Sequence, residues 1–210
     1  GTFTASEDGV YRLIVVNQAD PGVKEHYNLN LTIDYAAVNT TPDVHSTYTV
    51  TDPHGGSSTA AVNIAHQDGH VVLGTTGDDV LVGAADSHLH GGDGNDVLVA
   101  GPGNNELFGD NGNDMLFSGS GNDLLDGGAG NNTANYSLAT AGVTVSTAET
   151  GPQHTGGAGI DTLVNIDNLI GSNYNDHLAG DQGNNILNGG LGNDVLNGGA
   201  GDDILIGGPG

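Results

Sequence analysis

From Gly74 onward, apolar and polar positions recur in blocks of nine. Each block opens on a glycine-rich polar turn and closes on a short stretch with an apolar centre. GGDGNDVLV from Gly91, GDNGNDMLF from Gly109, SGSGNDLLD from Ser118, GGLGNDVLN from Gly189 and GGAGDDILI from Gly198 share the pattern Gly-Gly-x-Gly-x-Asp-x-(Leu/Val/Ile)-x. A period of nine is too short for a helical repeat, but it fits one tight turn plus one short strand, wound repeatedly into a solenoid. Position eight is Leu81, Leu98, Leu107, Leu116, Leu125, Leu178, Leu187, Leu196 and Leu205. One residue type at one fixed position predicts a stacked internal ladder.

The pattern divides the chain. Residues 71–135 form a first repeat block, with one degenerate eight-residue member, GAADSHLH. Residues 136–170 interrupt the period, and residues 171–210 resume it. The interruption contains the strand-like GVTVST and IDTLVNIDNLI around a polar stretch from Glu149 to Gly159. It predicts a solenoid that continues with wider turns and a protruding loop.

Residues 1–70 follow another period. LNLTIDY from Leu29 to Tyr35 alternates apolar and polar, the pattern of a half-buried strand. VYRLIVV from Val10 to Val16 is a second strand, and STYTVTD and STAAVNIAH flank the turn Pro53-His54-Gly55-Gly56 as a hairpin. About five strands at this spacing predict a small antiparallel β-sandwich, with a linker at residues 67–70. GTFTA at the start and GGPG at the end both read as cut ends of a longer chain.

Composition sharpens this picture. Glycine supplies 38 of 210 residues, far above the usual ~7 per cent, so the core is thin and repeated rather than broad. The net charge is −24, and Arg12 and Lys24 are the only basic side chains. Every acid except Glu7, Asp8 and Asp20 therefore lies in a stretch with no Lys or Arg. Such uncompensated charge opposes compaction. Nucleic-acid binding is excluded for want of a basic footprint. No apolar run is long enough to span a membrane as a helix, so no membrane insertion is expected. The absence of cysteine removes disulfides and thiolate chemistry.

The turn itself suggests chemistry. A Gly-x-Gly turn allows close backbone approach and aims successive carbonyls at one centre, and the Asp at position six adds a carboxylate. If each turn uses two blocks, repeat i stacks on repeat i+2. The sixth positions then form the columns Asp79–Asp96–Asp114–Asn132 and Ser87–Asn105–Asp123, followed by Asp176–Asp194 and Asn185–Asp203. Carboxylates stacked ~4.8 Å apart repel. A cation between them gains an all-oxygen shell of the kind Ca2+ prefers, whereas Mg2+ demands tighter octahedral geometry. Gly92, Asp93, Gly94, Gly190 and Gly192 are the candidate turn donors. The strongest pairs are Asp79/Asp96, Asp96/Asp114 and Asp176/Asp194. Asn105/Asp123 and Asn185/Asp203 keep oxygen ligands but less charge.

GGDGNDVLV, GGLGNDVLN and GGAGDDILI resemble the RTX nonapeptide. The segment GGAGNNTANYSLATAGVTVS, with its continuation GGAGIDTLVNIDNLIGSNYNDHLAGDQGNN, resembles a recurring RTX segment. The resemblance covers residues 74–210. It implies a right-handed parallel β-roll that binds several Ca2+ ions between turns, in a protein exported by the type I secretion machinery. It assigns the metal to Asp79, Asp96, Asp114, Asp123, Asp176, Asp194 and Asp203 with turn carbonyls. The hairpin before the repeats resembles the closing hairpin of bacterial Ig-like or cadherin-like repeats. The whole is then an all-β chain: a small antiparallel sandwich, then the roll.

These features point to a non-catalytic calcium-binding module, monomeric within a longer chain, of a secreted or surface-held bacterial adhesin. No Gly-x-Ser-x-Gly elbow, P-loop or metalloprotease helix occurs, so no enzyme is expected. His88 and His90 lack zinc-site spacing and read as a surface pair. Asn-x-Ser/Thr at Asn39, Asn132 and Asn135 reads as chance. The alternatives are the repeat tail of an RTX enzyme and an ice- or glycan-binding roll. The mixed third positions (Thr76, Asp93, Pro102, Asn111, Ser120, Ala129) argue against a regular ice-binding array.

Overall fold

The computed structural model describes the backbone of residues 28–34, 44–51 and 57–64, and residues 71–210 in full. The described residues form strands and turns, with no helix among them.

Two nonapeptides make one turn of a parallel β-solenoid. One face stacks β5 (Val80–Val82), β7 (Val97–Val99), β9 (Met115–Phe117), β11 (Thr133–Asn135), β15 (Asn168–Ile170), β17 (Ile186–Asn188) and β19 (Ile204–Ile206). The opposite face stacks β4 (Val71–Leu73), β6 (His88–His90), β8 (Glu106–Phe108), β10 (Leu124–Asp126) and β14 (Ile160–Val164). It resumes with β12 (Thr144–Ser146), β16 (His177–Ala179) and β18 (Val195–Asn197).

Register follows from position eight. Leu81, Leu98, Leu116, Ala134, Leu169, Leu187 and Leu205 align across the first face. Val72, Leu89, Leu107, Leu125 and Leu163 align across the second. Because side chains alternate along a strand, the central residue of each three-residue strand points inward. Leu81, Leu89, Leu98, Leu107, Leu116 and Leu125 are fully buried, each contributing on the order of 1.5–3 kcal/mol. Leu205 departs from the expected ladder. It is 49% exposed because no further strand stacks on β19 among the described residues.

The turns need glycine where the backbone turns left-handed. Gly92 and Gly94 have φ of +99° and +131°, conformations that side-chain-bearing residues rarely adopt. In the eight-residue member, Asp86 takes φ +54° and closes the turn with one residue fewer.

The roll runs on through residues 136–170 by an unexpected route. The chain leaves β11, places β12 against β16, then returns through β13 (Gln153–His154) to β14, which stacks on β10. β13 and β14 pair antiparallel, so part of the expected protruding loop is a strand. The Gln153 carboxamide accepts from Ser146 N–H and donates to Ser146 O, both at 2.8 Å. It thus supplies both hydrogen bonds of a neighbouring peptide.

N-terminal to the roll, β1 (Asn28–Asp34), β2 (Val44–Thr51) and β3 (Ser57–Ile64) pair antiparallel in sequence order. β3 then pairs parallel with β5, so this ladder continues into the first face of the roll. The expected strand at Val10–Val16, the linker at residues 67–70 and a second sandwich layer lie outside the described residues.

Candidate metal centre

The sixth positions form hydrogen-bonded columns, broken between Asp167 and Asn185 on the first face and after Asp161 on the second. On the first face, Asp79 N–H donates to Asp96 Oδ1 at 2.7 Å, Asp96 N–H to Asp114 Oδ1 at 2.8 Å, and Asp114 N–H to Asn132 Oδ1 at 3.0 Å. The column continues with Asn132 N–H to Asp167 Oδ2 at 2.7 Å, and resumes with Asn185 N–H to Asp203 Oδ1 at 2.9 Å. On the second face, Ser87 N–H donates to Asn105 Oδ1, Asn105 N–H to Asp123 Oδ1 and Asp123 N–H to Asp161 Oδ1. A shorter column runs from Val143 N–H to Asp176 Oδ1 and from Asp176 N–H to Asp194 Oδ1.

Each rung uses one carboxylate oxygen, and the other often has no donor. Asp79 Oδ1, Asp96 Oδ2, Asp114 Oδ2 and Asp194 Oδ2 are buried without a hydrogen-bond partner. An unpaired buried polar atom is costly, and a buried unpaired charge more so. The surroundings of the Asp96 and Asp114 oxygens are acceptors. A Cβ added at Gly91 would meet Asp96 Oδ2 and Gly109 O, and one at Gly109 would meet Asp114 Oδ2 and Gly127 O. Carboxylate and carbonyl oxygens thus crowd a space lined by the first glycine, and neither can donate to the other. The position-four carbonyls of Gly94 and Gly112 also accept no hydrogen bond.

This donor set fits a hard divalent cation with oxygen ligands, Ca2+ first among them. No three carboxylates or imidazoles converge on one point among the described residues, so main-chain oxygens must complete any shell. Gly92 O is engaged by Asn111 N–H at 2.8 Å. The Asp93 carboxylate points outward and accepts from Asn111 Nδ2, so only its backbone remains near the turn. Gly190 and Gly192, at φ +92° and +124°, repeat the Gly92 and Gly94 geometry in the second block.

The local electrostatics favour a positive charge at these carboxylates. Burial pushes the Asp96 carboxyl up to about 7, with the charges of Asp114, Asp79 and Asp78 adding to the rise and the Asp79 N–H bond opposing it. Burial likewise pushes Asp114 up to about 6. Asp161 is raised, first by burial and then by the Asp123 charge.

Two column members had escaped sequence reading. Asp161 belongs to GGAGIDTLV from Gly156, a full nonapeptide hidden inside the interruption. Asp167 sits two residues before Leu169, the Asp-x-Leu spacing of the repeat, but its turn is cut short at Asn165, with φ +52°. A second ladder had also escaped it. At position five, Asn95 N–H donates to Asp78 Oδ1, Asn113 N–H to Asn95 Oδ1 and Asn131 N–H to Asn113 Oδ1.

A parallel β-roll whose turns are joined by carboxylate and carbonyl oxygens is a cation-binding repeat module. The family model for the RTX calcium-binding nonapeptide repeat (4 copies) matches residues 73–107, 90–125, 99–134, 165–196 and 180–210. These segments span about half of the chain, which belongs to the RTX calcium-binding nonapeptide repeat family. No curated protein matches it.

Proposed function

We propose that this chain is a non-catalytic, calcium-folded module of a bacterial adhesin, secreted by a type I pathway and held at or released from the cell surface. The buried carboxylate oxygens without donors, set against glycine carbonyls, carry this reading. The antiparallel strands leading directly into the roll support a role as one link in a chain of extracellular modules.

The mechanism is coupled folding and binding. Asp79, Asp96 and Asp114 in the first block, and Asp176 with Asp194 in the second, hold the ions together with turn carbonyls. Bound Ca2+ supplies the positive charge that the chain lacks after Lys24. At low cytosolic Ca2+, carboxylate repulsion keeps the repeats expanded and able to thread an export channel. Extracellular sites work in the ~10⁻⁴–10⁻³ M range, so folding occurs on arrival outside.

Circular dichroism and thermal melting with Ca2+ and with chelator test the proposal. Near pH ~8, where Asp96 and Asp114 are ionised, β-structure and a cooperative melt should appear only with Ca2+. Identical spectra and melting temperatures in both would refute it.

A further inference from the structure

The turns differ in what meets their buried acceptors. Where Asn stands at position six, its amide nitrogen does what a cation does elsewhere. Asn105 Nδ2 donates to Gly101 O at 2.9 Å, to Gly103 O at 3.0 Å and to Asp123 Oδ1 at 3.0 Å. Those acceptors are two turn carbonyls and the carboxylate of the next turn. The equivalent position-four carbonyls of Gly94 and Gly112, in Asp-bearing repeats, have no such donor. Asn132 Nδ2 donates to Asn165 O, and Asn185 Nδ2 to Asp167 O and Asp181 Oδ1.

The Asp123–Asp161 turn reaches the same result with hydroxyls. Ser118 replaces the first glycine, and its Oγ lies 3.3 Å from Asp123 Oδ2 and 3.1 Å from Asp161 Oδ2. Thr155 Oγ1 lies 2.9 Å from Gly159 O and 3.2 Å from Asp161 Oδ2, and Gly119 N–H donates to Asp123 Oδ2. Ser118, Asp123, Thr155 and Asp161 are all buried, and the buried Tyr136 hydroxyl lies beside them, against Asp161. A carbonyl facing a carboxylate offers two acceptors and needs a cation between them. A hydroxyl offers a proton and does not.

We infer that the Asn105, Asn132, Asn185 and Asp123–Asp161 turns close without a cation, their amide and hydroxyl hydrogens occupying its place. The Asn132 and Asp123–Asp161 turns lie between the Asp79–Asp96–Asp114 sites and the Asp176–Asp194 site along the stack, and the Asn105 and Asn185 turns flank those sites on the opposite edge. The roll therefore carries two calcium clusters on either side of a cation-free joint formed by the interruption. This inference rests on the calcium reading above and deepens it.

The test counts Ca2+ bound per chain by calorimetric titration of the full 210-residue chain and its variants. Asp96→Asn should lose at least one ion. Asn105→Asp, which swaps the amide for a carboxylate beneath Asp123, should gain one. Asp161→Asn should bind as many ions as the parent. A lower count for Asp161→Asn, or no gain for Asn105→Asp, overturns the inference. Should Asp161→Asn not fold in Ca2+, the double variant Ser118→Ala/Thr155→Val keeps both carboxylates and takes its place. An unchanged or higher count there upholds the inference, and a reduced count overturns it. A parent chain that binds no Ca2+ would instead sink the calcium reading itself, a result visible before any variant is made.

Discussion

Asp114 holds the backbone of Asp96: its Oδ1 accepts the Asp96 N–H at 2.8 Å while its Oδ2 stays buried and unpaired. One carboxylate thus serves two ends, fixing the stacking of adjacent turns and presenting a charge for a cation. The two roles separate by mutation.

Asp96→Asn keeps the rung oxygen and removes the charge. Calcium affinity of the first block should fall at least about tenfold, or ~1.4 kcal/mol, with β-structure at saturating Ca2+ retained. Asp96→Ala removes the rung as well and strands the Asp79 N–H in the interior. It should cost a further ~1–3 kcal/mol. Calcium-dependent melting of both variants measures the difference, and equal effects would show that the rung contributes nothing.

Gly91 and Gly77 make a matched pair. A Cβ at Gly91 would enter the space between Asp96 Oδ2 and Gly109 O, whereas one at Gly77 meets nothing within 4 Å. Gly91→Ala should weaken calcium binding and lower the melting temperature in Ca2+. Gly77→Ala should stay within ~0.5 kcal/mol of the parent. A Gly91→Ala chain with parental calcium affinity would place the ion elsewhere.

The raised carboxyls set the pH dependence of the calcium-free roll. Asp96 and Asp114 sit at about 7 and about 6 in the fold, against 3.8 for the free group. A group whose pKa rises on folding contributes most below its unfolded value and loses that contribution as pH climbs through its folded value. In chelator, lowering the pH from ~8 to ~5 should therefore restore part of the β-structure. Calcium should show the opposite trend, binding more weakly as protons compete for the same oxygens. β-Structure that falls on acidification in chelator would contradict this.

The apolar ladder should be uneven along its length. Leu107 is fully buried between Leu89 and Leu125, so Leu107→Ala should cost ~2–5 kcal/mol. Leu205, half exposed, should lose well under half of that. Denaturant titration in Ca2+ reads both, and equal losses would mean that Leu205 is covered in solution.

Much of this architecture was legible because the nonapeptide repeats its chemistry at fixed intervals. The Leu ladder and the glycine turns announce a roll, and the family match agrees with it. The interruption was harder to read, for a physical reason. GGAGIDTLV keeps every repeat position, but β13 precedes it and pairs antiparallel with its strand, so its neighbours carry no period. Asp167 follows a turn shortened at Asn165, and Val143 takes a sixth position with no side-chain oxygen at all. Nor does composition distinguish Asn105 as a weaker ligand from Asn105 as a donor. Only the direction of its amide does.

The sixth-position rungs on the two faces share one sense. Along Asp79–Asp96–Asp114, as along Asp176–Asp194, the amide of the earlier turn is always received by the side chain of the later one. The sixth-position column is therefore polar in the manner of a filament, with an accepting end and a donating end, while the position-five ladder beside it runs in the opposite sense. Asp79 Oδ1 receives no hydrogen bond at the accepting end. Two rolls joined head to tail would continue the rungs, whereas two joined like end to like end would set acceptor against acceptor or donor against donor.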